Sequence, residues 1–274
     1  MFFHHGQRPT MIRRRLDVEL VRRGITDTRA QAQTAISEQR VLVGGAPALT
    51  NARRVGADES ISLSGPEPRF VSRGGEKLSR ALEEFSPPIS GAYALDAGAS
   101  TGGFTDCLLQ NGVAHVTAVD VGRGQLAWRL RNDDRVTLRE RTNVRYLEPT
   151  SLISDQPDGR VGLVVADLSF ISILTVAPAL VRCTTEDAHL IVLVKPQFEA
   201  GRSAVGRGGI VRDPSIHREV MLRVCAGLAQ GQLPVVAATV SPLTGADGNR
   251  EFLVHIDGAG TPMASDAIEA IAVA

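Results

Sequence analysis

Residues 95–106, Leu-Asp-Ala-Gly-Ala-Ser-Thr-Gly-Gly-Phe-Thr-Asp, constrain this chain more than any other stretch. They follow the apolar run Ala92-Tyr93-Ala94 and lead into a helix-compatible segment at 104–110, which spells strand, glycine-rich turn, helix. Gly98, Gly102 and Gly103 let backbone approach a ligand closely, and a helix start behind them offers free N–H groups. A second β-branched run at 116–121 delivers Asp120, where a carboxylate can accept from both ribose hydroxyls of an adenosine-type ligand. Taken alone, the loop is also compatible with a plain structural turn.

The glycine spacing separates cofactors. A dinucleotide fingerprint is G-x-G-x-x-G, whereas here Asp96 precedes a single Gly98 and the pair Gly102-Gly103 comes late. D-x-G-x-x-x-G-G resembles the S-adenosylmethionine loop of Rossmann-like methyltransferases. On that likeness Asp96, Gly98, Ser100, Thr101, Gly102, Gly103, Phe104, Asp120 and Val121 are candidate cofactor residues.

A chain of 274 residues with 43% hydrophobic content can bury a substantial core in one large or two unequal domains. No apolar run reaches the ~18 residues of a membrane span. The longest apolar stretch, residues 162–181, is broken by Asp167, Ser169 and Ser172 and reads as a buried strand followed by a helix. Cys107, Cys183 and Cys225 are scattered without C-x-x-C spacing, which fits a reduced cytoplasm and neither a disulfide framework nor a zinc site; no metal is expected. Residues 1–10 carry no signal-peptide pattern and are expected to form a disordered tail.

Net charge is zero but unevenly spread: residues 1–75 carry +5 and residues 76–274 carry −5. The basic end is the candidate nucleic-acid surface. Among 28 arginines the chain keeps only two lysines, Lys77 and Lys195. A guanidinium stays protonated, whereas a lysine can lose its proton when desolvated and act as a base, so two retained ammonium groups mark sites where arginine cannot substitute.

In chain order, residues 13–24 form an amphipathic helix pattern, with Leu16, Leu20 and Val21 on one face and Arg14, Arg15, Arg22 and Arg23 around it. Thr26, Asp27 and Thr28 offer N-caps for a second helix at 29–38. Short strands follow at 41–43, turning at Gly44-Gly45, and at 60–63. Two short helices and a small sheet carrying clustered arginines resemble the S4 RNA-binding domain, over residues 11–64. That resemblance implies phosphate contacts from Arg14, Arg15, Arg22, Arg23, Arg29 and Arg40, joined by Arg73 beyond the linker. Gly65-Pro66-Glu67-Pro68 opens a linker spanning 65–70, since prolines two apart cannot sit inside a helix. A helix at 76–85 then carries Lys77 near its start.

Past the glycine loop, a strand at 136–138 leads to Asn143, where an adenine would lie. The continuous apolar run 162–166 is typical of a central parallel strand and ends at Asp167-Leu168-Ser169-Phe170. Enzymes that methylate exocyclic amines carry Asn or Asp followed by two prolines and an aromatic there, and the prolines are absent; cytosine C5 enzymes need a Pro-Cys nucleophile, which neither Cys107 nor Cys183 supplies. The next strand, 190–194, delivers Lys195-Pro196-Gln197-Phe198-Glu199, so Asp167 and Lys195 can meet over a bound cofactor. A glycine-rich loop at 201–209, a helix at 217–229 and strands at 235–240 and 251–256, the last antiparallel, complete the domain. Glu251 alone is equally a strand-edge charge.

Lys77, Asp167, Lys195 and Glu251 stand in the order Lys, Asp, Lys, Glu, which resembles the tetrad of FtsJ-type ribose 2′-O-methyltransferases. With the basic N-terminal module and the stretches 71–77, 97–105, 124–128, 167–171 and 194–199, the chain resembles the TlyA family. The resemblance implies an α/β fold: a Rossmann-like class I methyltransferase domain at 71–258 with a mostly parallel seven-stranded sheet, preceded by a small α+β S4 domain. It also implies S-adenosyl-L-methionine as cofactor, with Asp167 among the residues that bind it, cytidine 2′-hydroxyls of 16S ribosomal RNA, 23S ribosomal RNA or both as substrate, and catalytic roles for the four tetrad residues. Some members are labelled haemolysins, but the strand pattern lacks the alternation of a membrane barrel. No obligate protein partner is expected, and residues 259–274 are expected to be a C-terminal tail.

Overall fold

The computed structural model describes residues 13–26, 28–37, 39–65, 68–201, 204–245 and 247–274. The expected tail at 1–10, the Asp27 cap and the Pro66-Glu67 part of the linker lie outside the described residues. The chain divides into two compact units, Met1–Glu67 and Pro68–Ala274.

In the first unit, β1 (Arg14–Arg15) pairs antiparallel with β4 (Arg54–Val55), and β2 (Val41–Val43) pairs with both β3 (Ala46–Pro47) and β5 (Ile61–Leu63). Helices α1 (Leu16–Arg22) and α2 (Arg29–Ser37) carry the apolar face. Leu16 and Leu20, one turn apart, are buried together with Ala32, Ile36, Val41 and Val55. The first helix begins later than its periodicity predicts because Arg14 and Arg15 are taken up by the strand pairing.

The second unit is a seven-stranded sheet in the order β11-β12-β10-β9-β6-β7-β8. Its strands are β6 (Tyr93–Ala97), β7 (His115–Val119), β8 (Val136–Arg139), β9 (Val161–Ala166), β10 (Thr184–Val194), β11 (Val235–Val240) and β12 (Phe252–Asp257). β12 runs antiparallel to both neighbours, and the pairs from β10 through β9, β6 and β7 to β8 are parallel. Successive side chains of a strand point to opposite faces. Thus Leu95, Val164 and Val192 enter one core, with α6 (Ile173–Cys183), α8 (Pro214–Gln230) and α9 (Ser265–Val273). Ala94, Val165 and Ile191 enter the other, with α3 (Arg73–Phe85), α4 (Gly103–Gln110) and α5 (Trp128–Arg131). Covering both faces explains the unbroken apolar runs at 161–166 and 190–194.

Three boundaries differ from expectation. The segment expected as a C-terminal tail carries α9, whose Ile268 and Ala272, four residues apart, are buried in the core, while Glu269 pairs with Arg218 at 2.8 Å. The expected linker ends earlier, because Phe70 is already a core residue of the second unit. Finally, α3 starts at Arg73, so Gly74 and Gly75 form its first turn instead of preceding it.

Gly75 shows why: a Cβ there would lie 2.3 Å from Phe70 Cβ and Cγ. Alanine normally gains ~1 kcal/mol over glycine inside a helix. Here the overlap with a buried ring reverses the sign, and Gly75→Ala is expected to lower unfolding stability by about 1–3 kcal/mol in denaturant titration. Gly74→Ala, in the same helix turn, where a Cβ would meet nothing closer than Phe104 at 3.5 Å, controls for loss of glycine alone.

Candidate active site

Chain order leaves β6 in one direction for β7 and β8, and returns on its other side as β9 and β10, so the switch point lies between β6 and β9. Ligands of open α/β sheets bind in the crevice at that point, outside the carboxyl ends of the strands. Here Asp167 N–H donates to Ala97 O at 3.0 Å, and Gly98, with φ +92°, runs so close that a Cβ would sit 2.5 Å from the Asp167 carbonyl oxygen. The glycine loop and the Asp167 strand end are therefore locked edge to edge.

The loop is held from beneath and from the side. Gly102, at φ +97°, caps α4, and a Cβ there would strike Leu130 and Leu126 at 2.4 and 2.8 Å. Asp120, just past β7, accepts from Ser100 N–H at 2.8 Å and from Gly122 N–H at 2.6 Å. Asp96 is fully buried at the end of β6 and accepts from Thr105 Oγ1 at 2.6 Å, while its Oδ1 has no hydrogen-bond partner. Burial pushes this carboxyl up to about 7, against the pull of the Thr105 hydrogen bond, and the charges of Asp167 and Asp120 add to the rise.

A cleft opens over the loop. It brings together the expected residues Gly98, Ser100, Thr101, Gly103, Phe104 and Asp167 with Lys77 and Arg73. It also contains Ser72, Gly74 and Thr244, which sequence patterns did not single out. Ser72 and Gly74 belong here because the start of α3 packs on α4: a Cβ on Gly103 would lie 2.3 Å from Ser72 Oγ, and Val71 N–H donates to the buried Asp106 of α4 at 2.8 Å. Arg73, expected on the RNA surface, donates from Nη2 to Thr244 O at 2.8 Å at this cleft. Val121 is exposed beyond β7, and Asn143 caps a 3-10 turn beyond β8 by accepting from Arg145 N–H; neither lines the cleft.

The four tetrad positions form two ion pairs. Opening the second turn of α3, Lys77 Nζ donates to Glu251 Oε2 at 2.5 Å, both side chains at most one-tenth exposed. Glu251 directly precedes β12, and the turn carrying Gly245 presses on it so closely that a Cβ there would lie 2.7 Å from Oε1. After β10, Lys195 Nζ lies 2.5 Å from Asp167 Oδ1 and donates to Ser169 Oγ at 3.0 Å. The Lys195–Asp167 contact is close but lacks the alignment of a hydrogen bond, so Asp167 Oδ1 is left unpaired in that sense. An acceptor and a nitrogen poised together at a strand end can orient a hydroxyl and handle its proton.

The first unit presents its arginines on buried carboxylates. Arg15 grips Asp17 through two hydrogen bonds of 3.0 Å, and Arg29 joins at 2.9 Å; Asp17 is fully buried, and Arg15 foremost holds its carboxyl far below the usual range. Glu19 is lowered to about 2, chiefly by Arg22, with Arg23 adding to it. Arg23 also donates to the carbonyls of Gly56 and Glu59, each at 2.8 Å, so it braces the sheet. Arg15, Arg22 and Arg29 stay about half exposed and are displayed in fixed directions.

Among the described residues no helix is long and apolar enough to cross a membrane. The FtsJ-like methyltransferase family model matches residues 70–257, and the S4 domain model matches residues 14–61. The chain is 48% identical over 245 residues to the 16S/23S rRNA (cytidine-2′-O)-methyltransferase TlyA of Mycobacterium tuberculosis, covering 89% of this chain and 90% of that one. It is 37% identical to Hemolysin A of Brachyspira hyodysenteriae, covering 88% and 98%. A solved structure from Streptococcus thermophilus, described as a hemolysin, superposes with a TM-score of 0.75 at 38% identity over 96% of this chain and 95% of that one. With both domain models in sequence and near-full-length similarity, the chain belongs to the TlyA family of S4-containing, FtsJ-like methyltransferases.

Proposed function

We propose that this protein transfers a methyl group from S-adenosylmethionine to the 2′-oxygen of cytidine in ribosomal RNA, acting in the cytoplasm where ribosomal subunits are found. The observation that carries the proposal is the Lys195–Asp167 pair at the strand ends, with Asp167 and the Glu251-paired Lys77 lining the one glycine-loop cleft.

The residues present suit such a cofactor. A buried, unpartnered Asp96 Oδ1 under the loop favours a cationic amino-acid group, and Asp120 past the neighbouring strand suits ribose hydroxyls. Backbone at Gly98, Ser100, Thr101 and Gly103 would cradle it, with Val121 and Asn143 toward the adenine. When bound, S-adenosylmethionine supplies a sulfonium-activated methyl group. The protein's task is then to place the 2′-oxygen in line and remove its proton. Lys195 Nζ receives the 2′-hydroxyl; once it has released its own proton to solvent, the neutral amine takes the hydroxyl proton, and Asp167 Oδ1 stabilises the ammonium so re-formed. Lys77 and Glu251 complete the cradle around the ribose. The cytidine and the ribosomal substrate follow the name of the Mycobacterium tuberculosis relative, and the half-exposed arginines on Asp17 and Glu19 suit phosphate contacts.

The proposal is tested by incubating the protein with methyl-labelled S-adenosylmethionine and separated ribosomal subunits, then digesting the RNA with alkali. Ribose methylation blocks cleavage at its own linkage, so label in an alkali-stable dinucleotide with cytidine on the 5′ side is expected. Label in a free mononucleotide would mean base methylation and overturn the proposal. Phosphate contacts predict a second result: raising salt from about 50 to about 200 mM weakens RNA binding at least ~10-fold, and Arg22→Ala reduces the slope of log affinity on log salt by about 1. An unchanged slope would remove Arg22 from the RNA surface.

A further inference from the structure

The loop after Asp167 and the loop after Lys195 leave neighbouring strands, whose pairing ends at Ala166 with Val192. They are joined again farther out by a group outside the tetrad. Glu199 ends the short helix α7 (Pro196–Glu199) that follows Lys195. Its Oε2 accepts from Ser172 Oγ at 2.6 Å, and its Oε1 accepts from Ile173 N–H at 2.7 Å. Ser172 is the N-cap of α6, so the carboxylate closes the start of that helix from the opposite loop. The Glu199 carbonyl is in turn held by Arg223 of α8 at 2.5 Å.

We propose that Glu199 is a positioning residue for methyl transfer: a clasp that fixes Lys195 against Asp167 and Ser169. Between the clasp and the strand ends, the polar and ring contacts among the described residues of the two loops need alignment. Those are the Lys195–Asp167 and Lys195–Ser169 contacts, and the rings of Phe170 and Phe198, with centroids 5.0 Å apart. Phe170 is 91% exposed and sits at φ +64°, so its own side chain gains no burial that would hold that conformation, which is left to the contacts of its loop, with Leu168 and Ile171 packed against the core. Lys195 is the residue immediately before α7, and Phe198 N–H donates to Lys195 O at 2.9 Å, so a shift of α7 is a shift of the catalytic backbone. Glu199 does not line the cleft and touches neither reacting group; it acts through Lys195.

The inference rests on the proposed methyl transfer, and the test separates the two. Full-length wild type, Glu199→Gln, Glu199→Ala and Ser172→Ala are compared for kcat, for KM of ribosomal subunits and for cofactor affinity by titration. Glutamine can still accept from Ile173 N–H and meet Ser172 Oγ, so Glu199→Gln is expected to keep kcat within about 3-fold. Misplacement on the ångström scale costs up to about 100-fold in rate, so Glu199→Ala is expected to lose about 10–100-fold in kcat with KM and cofactor affinity within about 2-fold. Ser172→Ala, which spares the Ile173 contact and the fold, should lose an intermediate factor, and it decides the matter if Glu199→Ala does not fold. The clasp is refuted if the folded variants keep wild-type kcat, or if KM and cofactor affinity worsen as much as kcat does. If wild type itself transfers no methyl group, it is the function that fails, and the clasp with it.

Discussion

The site depends on two backbones meeting with no side chain between them. Gly98 passes against the Asp167 carbonyl at a distance no Cβ could share, while Asp167 N–H closes the β6–β9 ladder onto Ala97. This contact fixes the glycine-rich loop relative to the Asp167 strand end by main-chain geometry, which side-chain motion cannot relax. Around it, each support is equally short-ranged: Asp120 on Ser100 and Gly122, Leu126 and Leu130 under Gly102, Ser72 beside Gly103. A loop so braced is preorganised, and its ligand need not order it on binding.

The charges in the site are not arranged for stability. Taking an ion pair out of water costs several kcal/mol per ion, often more than the mutual attraction returns. Lys77 and Glu251 are nonetheless buried against each other, and Asp96 is buried with one oxygen unpartnered. Such features persist where a neighbouring reaction uses the field they create. The first unit treats its buried Asp17 and Glu19 differently, surrounding each with more than one arginine so that the carboxylates serve as scaffolds for cations at the surface.

Much of this was legible in the sequence because parallel strands write themselves as apolar runs. The runs at 161–166 and 190–194 end in Asp167 and Lys195, and the rarity of lysine points to Lys195 and Lys77. What was illegible depended on distance along the chain. Glu199 meets Ser172 across 27 positions, and Thr244 meets Arg73 across 171, with no local pattern to announce either. Helix α9 hid behind Gly258-Ala259-Gly260 and Pro262, which read as the start of a tail. Arg14-Arg15 read as helix because strand pairing with Arg54-Val55 is a tertiary fact. Gly74-Gly75 fell outside the helix expected at 76–85, because the need for Gly75 to let α3 lie against Phe70 is a packing fact.

In the proposed reaction an amine at position 195, and not merely a positive charge, moves the proton of the ribose hydroxyl. Single-turnover methyl transfer by Lys195→Arg, at saturating cofactor and RNA, tests it most directly. A guanidinium keeps the charge beside Asp167 and can donate a hydrogen bond, but it does not give up its proton. Transfer is expected to fall by at least ~100-fold, within the contribution typical of acid–base catalysis, with RNA and cofactor still bound. An arginine variant that transfers methyl at the wild-type rate would contradict the role assigned to Lys195.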